Sequence, residues 1–248
     1  MKKCWLALSA ALLLPALAAA ELMPNREGTF YWPEGSDEST AGCVYTYSYP
    51  CLTGDTEGEV TVNNFYDYLI SDTGEFTVSM IGEMREDPTL QTRVEVNAEL
   101  ECEKEEVLSF LVTTKTTVGE ETTLLYSGHT FTMTGNRAGN ATTLPRLMGI
   151  LSDSETDTWL EERQVNKANE LVCGMVWERL QEKAEAGEIT LLPEADEELL
   201  ACLFYPEEDF YLDGDGEPVF ILQPGDLTEE RDGVVLISIT FEEIDDEL

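Results

Sequence analysis

The chain has 248 residues, with 51 Asp or Glu against 14 Lys or Arg, a formal net charge of -37 and a single histidine. Nucleic acid is excluded as a partner class because a phosphate backbone requires a basic footprint, and anionic lipid headgroups are disfavoured for the same reason. Hydrophobic residues nevertheless make up 42% of the chain, with 9 Phe, 9 Tyr and 4 Trp. That is too much apolar material for a disordered acidic tail, so a packed core is implied.

Residues 1–20 read as an export signal. Lys2 and Lys3 form the charged start, residues 5–17 an apolar stretch broken by Pro15, and Ala18-Ala19-Ala20 a small-residue cleavage site, so the mature chain is expected to begin at Glu21. The stretch is shorter than the roughly 20 apolar residues a bilayer span needs, which favours cleavage over retention as an anchor. No second hydrophobic span follows, and Cys4 precedes the apolar stretch, where it is badly placed for a lipoprotein anchor. Without Lys2 and Lys3, 12 bases face 51 acids, a net charge of -39. The expected location is extracytoplasmic: secreted, periplasmic or in the cell envelope.

In chain order, residues 21–41 combine Pro, Gly, Ser and acids without periodicity and are expected to form a flexible lead-in. Residues 44–49 alternate as a half-buried strand ended by Pro50, and Val62, Phe65, Tyr66 and Leu69 mark one face of a helix over 59–70. Four strands are predicted over 76–83, 93–102, 107–116 and 122–133, with an antiparallel meander as the simplest arrangement. A short helix near 144–148 precedes a long one over 156–186 that closes at Gly187. Another short helix follows over 193–202, then strands at 210–212, 219–222 and 234–241. The expected fold is α+β: a mainly antiparallel sheet with a long helix and shorter helices packed on one side. The expected organisation is one domain over 42–242, with an N-terminal part 42–105 and a C-terminal part 106–242, then an acidic tail over 243–248.

Cys43, Cys51, Cys102, Cys173 and Cys202 remain after signal removal. Export makes disulfides permissible, but the odd count leaves their pairing open. Cys43 and Cys51 do not suit each other, since eight extended residues separate them by about 26 Å against a Cα limit near 7 Å. Cys173 lies in the most apolar part of the long helix, where a buried inert thiol is expected.

The sequence points to no catalytic, cofactor-binding or metal-ligating residue. Asp72-Thr73-Gly74 matches the core of aspartic proteases but has no second copy, and such residues punctuate turns. Asp213-Gly214-Asp215-Gly216-Glu217 begins like a calcium loop, yet Pro218 and Pro224 stand where the sharp turn and the closing carboxylate belong, so a hairpin turn is expected. His129 is the single imidazole through which a Ser-His or Cys-His mechanism would run, and its alternating neighbours point to a structural histidine in a strand. Paired carboxylates could hydrolyse glycosides, but 51 acids do not single out a pair.

A stretch near the end, Glu208-Asp209-Phe210-Tyr211-Leu212-Asp213 through Gly216, Val219-Phe220 and Pro224 to Val234-Val235-Leu236-Ile237-Ser238-Ile239, resembles the close of the RsiV-like extracytoplasmic domain of unknown function. That domain occurs in lysozyme-sensing anti-sigma factors and beside some peptidoglycan deacetylase domains. Upstream, Tyr47-Ser48-Tyr49-Pro50 with Gly54, then Asn63-Asn64, Thr134-Gly135-Asn136 and Thr143-Leu144 follow in the same order. The family's Gly-Gly-Ala-His turn is replaced by Val118-Gly119-Glu120-Glu121, and its Pro-Tyr-Glu segment by Pro224-Gly225-Asp226. The resemblance implies an exported, non-catalytic, free-standing module that binds a ligand at the cell envelope, without a signalling arm or deacetylase domain. The implied ligand is a basic protein such as a lysozyme-like enzyme, or cell-wall material; no cofactor is implied. The alternatives are an envelope hydrolase using carboxylates or His129, and a structural module whose charge serves solubility.

Overall fold

A computed structural model describes residues 22–151 and 159–248, so the expected export signal and the expected start of the long helix at residue 156 lie outside the described residues. The architecture is α+β, with two sheets. The first has five strands in chain order: β1 (Leu22–Trp32), β2 (Cys43–Leu52), β3 (Thr92–Lys104), β4 (Val107–Val118) and β5 (Glu121–Thr132). The second has three: β6 (Phe210–Leu212), β7 (Pro218–Leu222) and β8 (Val235–Ser238). Among the described residues, no helix is long and apolar enough to cross a membrane.

The structure departs from the sequence reading chiefly in three places, the first two because of side chains or pairings supplied from far along the chain and the third because of a local cap. First, β1 occupies the segment expected to be a flexible lead-in, and pairs antiparallel with β2 from Leu22↔Leu52 to Trp32↔Cys43. Phe30 and Trp32 of β1 lie against Gly74 and Gly82, where an added Cβ would overlap each ring. Arg85 stacks over Trp32, 5.2 Å from the ring centroid, a favourable placement of a cation on an aromatic face. Composition around 21–41 does not reveal this, because the notches that hold the strand are glycines some fifty residues later.

Second, the strand expected at 76–83 is helical. Helix α1 (Glu57–Tyr68) passes through a π-helical turn at Leu69–Gly74 into α2 (Glu75–Glu83). Asp72-Thr73-Gly74, expected to punctuate a turn, thus lies in that π-helical turn. The reason is topological: β2 and β3 pair in parallel, from Cys43↔Thr92 to Ser48↔Asn97, and a parallel pair needs a crossover of a dozen residues or more, usually helical. The sheet is therefore not a simple meander. Val78 is buried while Phe76 is 65% exposed, so the β-prone composition yields to one inward helical face.

Third, the acidic tail expected at 243–248 belongs to α6 (Phe241–Glu247). Thr240 Oγ1 accepts from Glu243 N–H at 3.2 Å, and the Glu243 carboxylate accepts from Thr240 N–H at 2.8 Å. This reciprocal cap places acids where the helix dipole favours them. Ile244 is fully buried.

Most of the remaining elements follow the periodicities. Strands β3, β4 and β5, the short helix α3 (Leu144–Leu147) and the long helix α4 (Trp159–Glu185) stand where the spacing places them, whereas α5 (Glu197–Leu203) starts four residues later than expected, capped by Asp196, whose Oδ1 accepts from Leu199 N–H at 2.7 Å, and β8 stops at Ser238 instead of running to 241. Asp213–Gly216 makes the β6–β7 hairpin turn, with Asp213 Oδ1 accepting from Asp215 and Glu217 N–H at 2.9 and 3.0 Å, and Gly216 at φ 79°. Each sheet carries helices on one face. Tyr45, Tyr49, Val94, Val96, Phe110 and Phe131 of the first sheet enclose Val62 and Tyr66 of α1 and Val78 of α2. Phe210, Phe220, Leu222 and Ile237 of the second pack against Val172, Val176 and Leu180 of α4. The sheets meet where Tyr211, Val219 and Ile221 cover Leu111 and Tyr126.

Candidate ligand-binding face

The second sheet covers the first sheet at β4 and β5, next to a face of polar cross-strand rows. Glu27, Ser48, Asn97 and Thr113 align across β1 to β4, and beside them Thr29, Thr46, Glu95 and Lys115, with Leu124 of β5 completing that second row. Alternation puts these residues opposite the tyrosines and valines that face α1, so this is the solvent side of a two-faced sheet. Glu27, Thr29, Thr46, Ser48 and Glu95 line a shallow concavity of about 500 Å³.

The bases are largely engaged within the fold. Arg26 pairs with Asp67, Arg93 with Glu38, Lys115 with Glu95, Lys183 with Glu188, Arg231 with Glu229, and Arg179 with both Glu182 and Glu243. Surface pairs of this kind contribute about 0–1 kcal/mol each to stability. Their main consequence is electrostatic: these cations are neutralised by the chain's own acids, and the excess of carboxylates faces outward.

His129, in β5, is set among aromatic rings. Phe65 meets it edge-on at 5.2 Å between centroids, Tyr66 lies at 5.8 Å, and its Nδ1 is 3.4 Å from Tyr66 Oη. Burial lowers its pKa to about 4, so at neutral pH it is an uncharged member of an aromatic cluster. Burial likewise raises Tyr66 well above the ordinary phenol range.

One carboxylate pair emerges that sequence spacing could not single out. Asp209 and Asp226 line a cavity of about 60 Å³ with Phe204, Leu222 and Leu227. Burial raises both pKa values, and Asp226 contributes a smaller upward push on Asp209. Asp209 Oδ2 also accepts from Tyr205 N–H at 2.7 Å. Small-molecule sites usually offer about 300–1,000 Å³, so this space suits a few waters better than a sugar ring.

Among the described residues the cysteines are all thiols: Cys43, Cys102 and Cys173 are buried, Cys51 is partly buried and Cys202 exposed. Cys43 and Cys51 sit on the same strand, as their spacing requires. Burial pushes the Cys173 thiol up to about 11, in keeping with an inert helix thiol. No group of three or more potential metal-ligating His, Cys, Asp or Glu side chains converges among the described residues.

Compared with known proteins, the chain matches no family profile. No curated protein matches it in sequence. Its fold is similar to two solved structures. One is a member of the DUF3298 family from Bacteroides fragilis, with a TM-score of 0.53, 14% identity, and coverage of 91% of this chain and 93% of that chain. The other is a DUF3298 family protein from Pseudomonas aeruginosa, with a TM-score of 0.52, 9% identity and the same 91% and 93% coverage. At these identities the likeness concerns the fold.

Proposed function

We propose that this protein is an exported, non-catalytic binding module of the cell envelope, whose acidic surface captures a basic protein such as a lysozyme-like enzyme. The observation that carries the reading is the charge and its disposition: a formal net charge of -37, with bases such as Arg26, Arg93, Arg179 and Lys183 turned to the chain's own acids. Such a surface attracts cationic partners over a distance set by ionic strength. The resemblance to RsiV-like extracytoplasmic domains supports the envelope setting and the ligand class, and the fold shared with DUF3298 proteins is compatible with it. The packing of His129 between Phe65 and Tyr66, with a pKa lowered to about 4, makes it a weak base at neutral pH and favours binding over a mechanism that runs through that imidazole.

Titration calorimetry with a basic lysozyme, and with a neutral protein of similar size, tests the proposal. The expected result is binding of the basic protein alone at about 20 mM salt, weakened at least tenfold by 300 mM as the charges are screened. Equal heats for both proteins, or turnover of cell-wall glycan that is lost in a folded His129→Ala variant, would overturn it.

A further inference from the structure

The outer edge of β5 is bonded by the chain itself at Tyr126, Thr130 and Thr132. Thr132 N–H donates to Asn140 C=O, Thr132 C=O accepts from Gly139 N–H, and Thr130 C=O accepts from Thr142 N–H. Further along, the Gln223 carboxamide acts as a one-residue strand: its Oε1 accepts from Tyr126 N–H at 3.2 Å, and its Nε2 donates to Tyr126 C=O at 2.6 Å. Every one of these β5 residues is even-numbered, as expected when alternate residues of an antiparallel strand turn both backbone groups away from the paired neighbour. By the same alternation Thr122 and Leu124 present their N–H and C=O outward. Among the described residues nothing bonds to those four groups.

A groove of about 410 Å³ runs beside this open stretch, with Thr122 and Leu124 on one wall and Pro224, Glu230, Arg231 and Gly233 on the other. Glu120 and Glu121 stand at the hairpin end of β5, and Arg231 is engaged by Glu229 at 2.6 Å. With Arg231 held by Glu229, the charge left to the groove lining is that of Glu230, and Glu120 and Glu121 precede Thr122 along the chain. The groove also borders the polar face, since Leu124 ends the row that runs through Thr46, Glu95 and Lys115.

We infer that this edge is a strand-addition site for an extended, lysine- or arginine-bearing segment of a partner protein. The segment's backbone pairs with Thr122 and Leu124 while its cations meet Glu120, Glu121 and Glu230. Main-chain pairing supplies the affinity of such a mode and side-chain charge its selectivity. A second copy of this chain is disfavoured as the occupant, because two edges ending in Glu120 and Glu121 on molecules of charge -37 repel. The inference rests on the proposed capture of basic ligands and adds the place and the backbone mode.

The test uses the wild-type protein, the heptapeptide Lys-Val-Lys-Val-Lys-Val-Lys and its fully backbone-N-methylated counterpart, which keeps the charge and cannot donate strand bonds. Amide hydrogen exchange by NMR should slow at least tenfold at Thr122 and Leu124 with the unmethylated peptide. Thr123, whose amide faces β4, should be unchanged. The methylated peptide should bind at least tenfold more weakly, and so should the unmethylated one to Leu124→Pro, which removes an outward donor and leaves the β4 pairing intact. Salt-sensitive binding of both peptides alike, without protection at Thr122 and Leu124, would overturn strand addition and leave acidic capture standing. No binding by either peptide would overturn the capture reading and this inference with it. Protection that grows with protein concentration and needs no peptide would assign the edge to a second copy and overturn the peptide assignment.

Discussion

Asn63 performs for β2 what Gln223 performs for β5. Its Oδ1 accepts from Leu52 N–H and its Nδ2 donates to Leu52 C=O, both at 2.9 Å, which ties the end of β2 to α1. Leu52 is buried, so Asn63→Ala strands two backbone groups away from water, and a loss of about 1–3 kcal/mol is expected in urea denaturation. Gly82→Ala forces a methyl against Trp32; overpacking of that kind costs about 1–3 kcal/mol, and exchange protection of β1 amides should fall with it. His129 gives a pH signature. Its folded pKa of about 4 lies below the ordinary 6.5, so the unfolded chain takes up the proton first. The contribution is whole above pH 6.5 and is lost as pH falls toward 4, by at most about 3 kcal/mol. Subtracting a His129→Gln variant's stability at pH 7, 5.5 and 4 isolates it; a flat difference would mean that the ring is solvated.

Among the elements, α6 separates a structural reading from a compositional one. As an acidic tail it would tolerate any substitution, whereas Ile244→Ala in a buried site should cost about 2–5 kcal/mol, read as a lowered denaturation midpoint. Legibility in the sequence divides along the same line. Strands β3 to β5 and helix α4 declare themselves through local periodicity of two or of about 3.6 residues. The order of β1 and the helicity of α2 depend on partners brought in by the parallel β2–β3 crossover, which no local window contains. The candidate site shows the same division. The excess of acid is plain from composition, but the row joining Glu27, Ser48 and Asn97 exists only once the register is fixed. The pairing of Asp209 with Asp226 likewise needs the fold, since many other acids have equal claim by spacing.

At the scale of the whole molecule, uncompensated carboxylates push against compaction. Screening begins near 0.1 M salt, where the Debye length is about 10 Å, so the melting temperature should rise by a few degrees between 20 and 300 mM sodium chloride. A fall over that range would mean that the surface ion pairs outweigh the repulsion. The same salt should loosen a basic ligand, so stability and capture are expected to move in opposite directions.

The glycine notches that seat Phe30 and Trp32 also set an order on biosynthesis. A nascent chain delivers those two rings long before Gly74 and Gly82 leave the ribosome, and until then both are bare on a strand with one edge unmatched. Translation products that stop short of residue 74 should therefore clump or recruit chaperones through the bare rings of β1.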